Sequence, residues 1–189
     1  DNEIIKITHP RQEWNFWAYG LNDQGTVVGG TGPSRDKQLG FFWKDGRMTL
    51  LSTLEDRNTY AIGITNDEIV YGVSYSQNNV ARAVYWKKGK ITEIKVADTD
   101  TFISGVNSAG PFTGYTLTQG KARAFISHKN HQEFLPWACI GSAINTQADV
   151  AGTFFPPGER DTEPFLYADK KLTRIRTLGG SQTRAQGIN

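Results

Sequence analysis

Two pairs of closely spaced carboxylates, Asp98/Asp100 and Glu159/Asp161, are the first residues of this sequence whose type and spacing could do chemistry. Glycoside hydrolysis needs two acids facing each other about 5 to 10 Å apart. Both pairs lie in polar stretches of loop-like composition, so solvation is their expected role. Histidine occurs at His9, His128 and His131. The last two share the turn that follows Ser127, where no Cys and no third His completes a zinc site. Cys139 lacks the glycine-framed, His-partnered setting of a nucleophile and is expected to fill core space; as a single thiol it also excludes an internal disulfide. The G-x-S-x-G elbow is absent, and Ser34-Arg35-Asp36 with Gly40 and Trp43 matches only part of a sialidase-type turn. Oxygen donors at Asn22, Asp23, Asp67 and Asp149 could attract a hard cation, but they have neither EF-hand nor nonapeptide spacing. These residues predict no metal and no cofactor. They favour a chain that is not an enzyme, although residues gathered from distant segments would leave no local signature.

Aromatic side chains are the stronger candidates. Trp14, Phe16 and Trp17 cluster near the start, Trp137 sits in a corresponding later stretch, and Phe154-Phe155-Pro156-Pro157 follows it. Rings on loops at one rim supply contact area at little entropic cost, so they can stack on sugars or anchor a protein. Trp14, Trp17, Trp137 and Phe155 are therefore the expected ligand contacts, with packing between structural units as the competing role. Lys87, Lys88 and Lys90 flank Gly89 and read as a charged outer edge that discourages edge-to-edge pairing.

The elements that must position these residues repeat. Tyr19-Gly20-Leu21-Asn22 recurs as Ile62-Gly63-Ile64-Thr65, Ser104-Gly105-Val106-Asn107, Ser142-Ala143-Ile144-Asn145 and Gln186-Gly187-Ile188-Asn189. A small polar turn and a short strand ending in Gly follow the first four: Val27-Val28-Gly29, Val70-Tyr71-Gly72, Phe112-Thr113-Gly114 and Val150-Ala151-Gly152. An aromatic-rich strand comes next (Phe41-Phe42-Trp43, Val84-Tyr85-Trp86, Phe125-Ile126-Ser127, Phe165-Leu166-Tyr167). A turn then leads into an alternating strand such as Ile91-Thr92-Glu93-Ile94. Four strands in a unit of about 42 residues is the size of one β-propeller blade, which buries its faces only against neighbouring blades.

The prediction is an all-β chain forming a single β-propeller domain over 1–189, with complete repeats near 16–58, 59–101, 102–139 and 140–183. Labelled a to d from the centre outward, the first strand of each repeat is small-residue-rich where blades converge. Partial terminal strands are expected at 4–8 (a lone d) and 185–188 (a lone a). They fit a five-bladed ring whose last blade is incomplete, with a four-bladed ring as the alternative. The recurrent Asn22, Asn107, Asn145 and Asn189 are expected to serve tight hairpins, because Asn and Gly accept left-handed backbone.

Composition agrees with a globular core. The chain has 189 residues, 38% hydrophobic and 21% charged, with 21 Lys plus Arg against 19 Asp plus Glu and a net charge of +2. That balance predicts no nucleic-acid footprint. The longest apolar run, Phe134 to Ile140, contains Pro136 and falls far short of the roughly 20 residues a spanning helix needs, so no membrane insertion is expected. A start at Asp1 without a basic, apolar leader is consistent with removal of a signal peptide.

Ala18 to Gly29, Arg82-Ala83-Val84-Tyr85-Trp86, Arg123-Ala124-Phe125, and Leu178-Gly179-Gly180 through Ala185-Gln186-Gly187-Ile188-Asn189 together resemble the bacterial HAF-repeat family of extracellular repeat proteins. The resemblance implies a propeller-like fold at the cell surface or outside the cell, and carries over no catalytic residues. The expected function is a non-catalytic secreted propeller that presents a loop face to a protein or glycan. The alternatives are a glycan-active hydrolase or lyase with dispersed residues, or a structural subunit whose terminal strands pair with another chain.

Overall fold

The computed structural model describes residues 4–8, 13–128, 131–176 and 179–189. His9 and Leu178 lie outside them. Sixteen strands form four antiparallel four-stranded sheets, each a simple meander, and no helix occurs among the described residues. Blade 1 is β1 (Asn15–Leu21), β2 (Val27–Ser34), β3 (Lys37–Lys44) and β4 (Arg47–Leu50). Blade 2 is β5 (Thr59–Ile64), β6 (Val70–Tyr75), β7 (Ala81–Lys87) and β8 (Lys90–Glu93). Blade 3 is β9 (Asp100–Val106), β10 (Phe112–Thr118), β11 (Lys121–His128) and β12 (His131–Phe134). Blade 4 is β13 (Cys139–Ile144), β14 (Val150–Phe154), β15 (Glu163–Ala168) and β16 (Lys171–Arg174).

The repeated phrase marks one backbone event. In every blade the pairing of first and second strands slips by one residue, leaving Tyr19, Ile62, Ser104 and Ser142 bulged. Opposite each bulge stands the repeat's glycine, Gly29, Gly72, Gly114 or Gly152. There the first strand's carbonyl comes so close that a Cβ would lie 1.9 to 2.1 Å from it. A bulge adds local twist, which a blade needs in order to fan outward from an axis.

The glycine of the phrase itself serves convergence. A Cβ on Gly20 would lie 2.7 Å from the Cα of Gly63, one on Gly63 would lie 2.5 Å from the Cβ of Val106, and one on Gly105 would lie 2.9 Å from the Cα of Ala143. The first strands of successive blades therefore touch, backbone to backbone at Gly20 and Gly105 and backbone to the Val106 side chain at Gly63, as the innermost strands of a radial array must.

Three apolar seams hold the blades together. Val28 and Phe42 of blade 1 meet Ala61, Ile64, Val70, Val84 and Trp86 of blade 2. Ile62, Tyr71 and Ala83 meet Ile103, Phe112 and Phe125. Ala124 and Ile126 meet Cys139, Ile144, Val150, Phe165 and Tyr167. The crossover chain seals each seam: Leu51, Ile94 and Leu135 pack into successive ones. Their amides donate to the carbonyls of Gly40, Ala83 and Ala124.

The blades pack 1 on 2, 2 on 3 and 3 on 4, and no comparable contact returns from blade 4 to blade 1. Among the described residues the four sheets form an open arc and do not close on one another. Residues 4–8 and 185–188, read from sequence as terminal strands, are not in strand pairing. Strands exist by pairing, and no third or second strand of their own blade lies beside them among the described residues. Residues 181–183 nevertheless follow the interior crossover path, with Thr183 N–H donating to Thr162 O at 3.4 Å and Thr162 N–H to Ser181 O at 3.0 Å.

The recurrent asparagines also act differently from expectation. None has left-handed backbone; that conformation falls on Gly25, Glu68, Gly110 and Ala148. Asn22 Oδ1 instead accepts from Gln24 N–H (3.2 Å) and Thr26 N–H (3.0 Å), an Asx turn, while its Nδ2 donates across the seam to Thr65 O at 3.1 Å. Asn107 repeats this pattern, accepting from Ala109 N–H and donating to Ile144 O of the next blade at 3.5 Å. Asn145 closes the same turn through Gln147 and Asp149, but its Nδ2 folds back onto Asp149 Oδ2 at 3.0 Å.

Candidate functional site

The seams between blades 2 and 3 and between blades 3 and 4 open beside the first-to-second and third-to-fourth strand turns. Between blades 2 and 3 this opening is a cleft of about 720 Å³. Its wall is built by register: Tyr71 on β6 pairs directly with Tyr85 on β7, so both rings stand on one face, 6.2 Å apart. Phe112 of β10 faces Tyr71 at 4.6 Å across the seam. Ile69, Ile94 and Pro111 complete the apolar floor, and Lys87 and His128 stand at the mouth. Burial, with a smaller contribution from Tyr85, raises the Tyr71 phenol above its usual range, so it stays a neutral hydroxyl at physiological pH.

The Lys87 side of the mouth is basic for a structural reason. Lys88 and Gly89 both have positive φ, which makes the β7–β8 connection a tight two-residue hairpin and places Lys87 directly opposite Lys90. Lys87, read from sequence with Lys88 and Lys90 as an edge guard, therefore also borders a cleft.

A second cleft, about 440 Å³, lies between blades 3 and 4 and shares His128 with the first. Its character is opposite: Glu133, Asp149 and Asp169 line it with His131 and Lys170. Tyr167 O–H donates to Glu133 Oε1 at 3.1 Å across this seam, and burial first, then Glu133, raises its phenol. His128 thus stands between an aromatic, lysine-edged groove and an acidic one.

The four aromatic residues expected to form a rim divide between the two ends of the arc. Trp17 lies within β1, with the Arg35 guanidinium 5.7 Å from its ring centre, and Trp14 is half-buried just before that strand. Trp137 packs edge-on against Tyr167 at 6.3 Å on the blade 3–4 seam, and Phe155 N–H donates to Ala138 O nearby. Blades 2 and 3 separate the pairs, so Trp14 and Trp17 do not share a site with Trp137 and Phe155.

The carboxylates are likewise accounted for locally. Asp100 Oδ1 accepts from Ala81 N–H at 2.8 Å and ties blade 2 to the first strand of blade 3. Asp98, Glu159 and Asp161 are exposed. No group of three or more His, Cys, Asp or Glu side chains among the described residues could hold a metal ion. No helix among them is long and apolar enough to cross a membrane.

Cys139 is fully buried in the blade 3–4 core, its thiol donating to Trp137 O at 3.4 Å. Burial pushes the thiol up to about 11 from 9.0. The folded state thus favours the protonated form; stability from this group is complete below pH 9.0 and is lost as pH rises through about 11. Iodoacetamide at pH 8 is expected to leave the native thiol unmodified and to alkylate it once denaturant is added, with intact-mass spectrometry as the readout. Rapid native alkylation would contradict the burial.

The sequence matches no family model and no curated protein. Among solved structures it is similar to a β-propeller protein, TolB from Acinetobacter baumannii, at 7% identity and a TM-score of 0.65, over 88% of this chain and 45% of that one. The chain thus spans less than half of that protein's length, and at this identity the likeness concerns the fold: four radially packed, four-stranded blades of β-propeller type.

Proposed function

We propose that the protein is a non-catalytic binding platform whose inter-blade clefts accept an extended segment of a partner protein. The observation that carries this reading is the groove of Tyr71, Tyr85 and Phe112 edged by Lys87 and His128. Rings held by strand register supply contact area without loss of rotamer freedom on binding, and the cationic edge selects a carboxylate. Across His128 the acidic second cleft favours a basic residue. A segment that spans both grooves therefore places an aromatic or aliphatic anchor with an acidic neighbour over Tyr85, and a Lys or Arg over Glu133 and Asp149. The HAF-repeat resemblance extends the reading to an extracellular protein, and in a longer chain the arc would continue into a ring of five or more blades.

A peptide-display selection run beside a glycan array tests the proposal. Wild-type protein is expected to enrich peptides with that charge order. Tyr85→Ala is expected to weaken the best of them at least about tenfold, as loss of an aromatic anchor does, while Trp14→Ala leaves binding unchanged. A silent peptide library, or binding indifferent to Tyr85→Ala, contradicts the reading; hits confined to the glycan array would assign the cleft to sugars.

A further inference from the structure

The chain builds its seam three times, and the second seam lacks two groups that the first supplies from within. One is a ring. Trp86, paired with Val70, faces blade 1, is 2% exposed and donates its Nε1–H to Ser52 O. In blade 4 the same register holds Tyr167, paired with Val150, but in blade 3 it holds Ser127, paired with Phe112. Phe112 and Phe125 are bulkier than Val70 and Val84, their counterparts in blade 2, yet they do not fill the space: the cleft of about 720 Å³ remains, with Ser127 in its lining. The other missing group is a carboxylate. Lys44, the last residue of β3, forms an ion pair with Glu68 of the β5–β6 turn and so ties blade 1 to blade 2. Lys87 ends β7 as Lys44 ends β3, each opposite the first residue of its fourth strand. Glu68 has its counterpart in Gly110, since their amides donate to Thr65 O and Asn107 O at the same point of the turn. Gly110 has no side chain, so it offers Lys87 no carboxylate.

We infer that this cleft takes an indole side chain flanked by a carboxylate, that is, a Trp beside an Asp or Glu in the partner. The ring lodges next to Ser127 and against Tyr71, Tyr85 and Phe112, and the carboxylate meets Lys87. A bound segment thereby restores at the second seam what Trp86 and Glu68 supply at the first. The ring carries most of the affinity, because it buries a large apolar area with few rotors to immobilise. The carboxylate adds less, because Lys87 is exposed and a solvated ion pair contributes little. This inference rests on the binding-platform reading and narrows it: a partner that anchors through an aliphatic residue would keep that reading and exclude an indole.

Chemical-shift titration of the isotope-labelled full chain with three blocked tripeptides tests it: acetyl-Glu-Trp-Glu-amide, and the same peptide with Leu in place of Trp or with Gln in place of both Glu. The Trp peptide is expected to bind at least about tenfold more tightly than the Leu peptide, and about two- to fivefold more tightly than the Gln peptide. Ser127→Trp, which puts a ring back into the cleft, is expected to weaken the Trp peptide at least about tenfold with the β circular dichroism spectrum kept. Lys87→Gln, at an exposed position that leaves the seam intact, is expected to bind the Glu and Gln peptides equally. Equal binding of the Leu and Trp peptides, a folded Ser127→Trp variant that binds like wild type, a charge preference that survives Lys87→Gln, or no binding by any peptide would each overturn the inference. Display-selected peptides that depend on Tyr85 but contain no Trp would overturn it too, and would leave the platform reading standing.

Discussion

Gly72→Ala is expected to destabilise the protein by about 3 kcal/mol, the upper end of what overpacking costs. The added methyl would stand 2.1 Å from the Tyr60 carbonyl oxygen, 2.9 Å from the Ala61 Cα and 3.0 Å from the Trp86 ring. Two of these neighbours are backbone of the bulged inner strand, so relief requires shifting the bulge and with it the convergence of blade 2 on the axis. Gly46→Ala is the control. It also lies in this repeat architecture, but at a hairpin tip with φ +78 and open space around it, so its cost is the left-handed penalty alone, about 1 to 2 kcal/mol. Urea denaturation measures both. Equal midpoint shifts would mean that the bulge does not impose the glycine.

The second large effect concerns Trp86→Ala, expected to cost about 3 to 5 kcal/mol. Trp86 is 2% exposed and sits at the centre of the blade 1–2 seam beside Val28, Ile64 and Val84. Its Nε1–H also donates to Ser52 O at 2.8 Å, fastening the crossover that brings the chain from blade 1 to blade 2. Truncation therefore leaves a cavity at the seam and a carbonyl without its donor. Trp86→Phe separates the two contributions: it fills most of the volume and abandons only the hydrogen bond, for about 1 to 3 kcal/mol. If alanine and phenylalanine cost the same, the ring's contribution lies in the hydrogen bond and the seam is looser than described.

Both effects were legible in sequence because they recur, the glycine in all four repeats and a large ring in three, with Ser127 at that place in the remaining one. Gly72 and Trp86 recur in kind as Gly29 with Trp43 and Gly152 with Tyr167, and periodicity exposes what the backbone demands four times. The inner position of the small first strands could be read for the same reason, since Gly20, Gly63 and Gly105 stand where neighbouring backbones collide. The turns at Asn22 and Asn107 carry left-handed backbone on their glycines, Gly25 and Gly110, as the sequence suggests, but the asparagines act through side-chain bonds and the same backbone falls on Glu68 and Ala148 where no glycine marks it. The clefts were not legible. Tyr71 and Tyr85 come from one repeat and Phe112 and His128 from the next, and their meeting depends on the rotation between blades, which leaves no local pattern. The neighbour of Trp137 was not legible either: the crossover before β13 runs along the blade 3–4 seam and sets this partly buried ring edge-on against Tyr167. Termini were misread for a related reason. Ile4-Ile5-Lys6-Ile7 has strand-like alternation, but alternation supplies no partner, and Ile4 is 94% exposed.

Radial convergence of the first strands is the claim on which the seams, the clefts and the open ends all depend. A nuclear Overhauser spectrum of the labelled protein tests it most directly, through the α-protons of residues that are distant in sequence. The structure predicts a ladder of cross-peaks from Gly20 to Gly63 and from Gly105 to Ala143, where backbones touch, joined by one from the Gly63 α-protons to the Val106 side chain. Cross-peaks that instead joined the first strand of one repeat to the last strand of another, with no signal between these glycines and their partners, would describe a stacked sandwich and contradict the account.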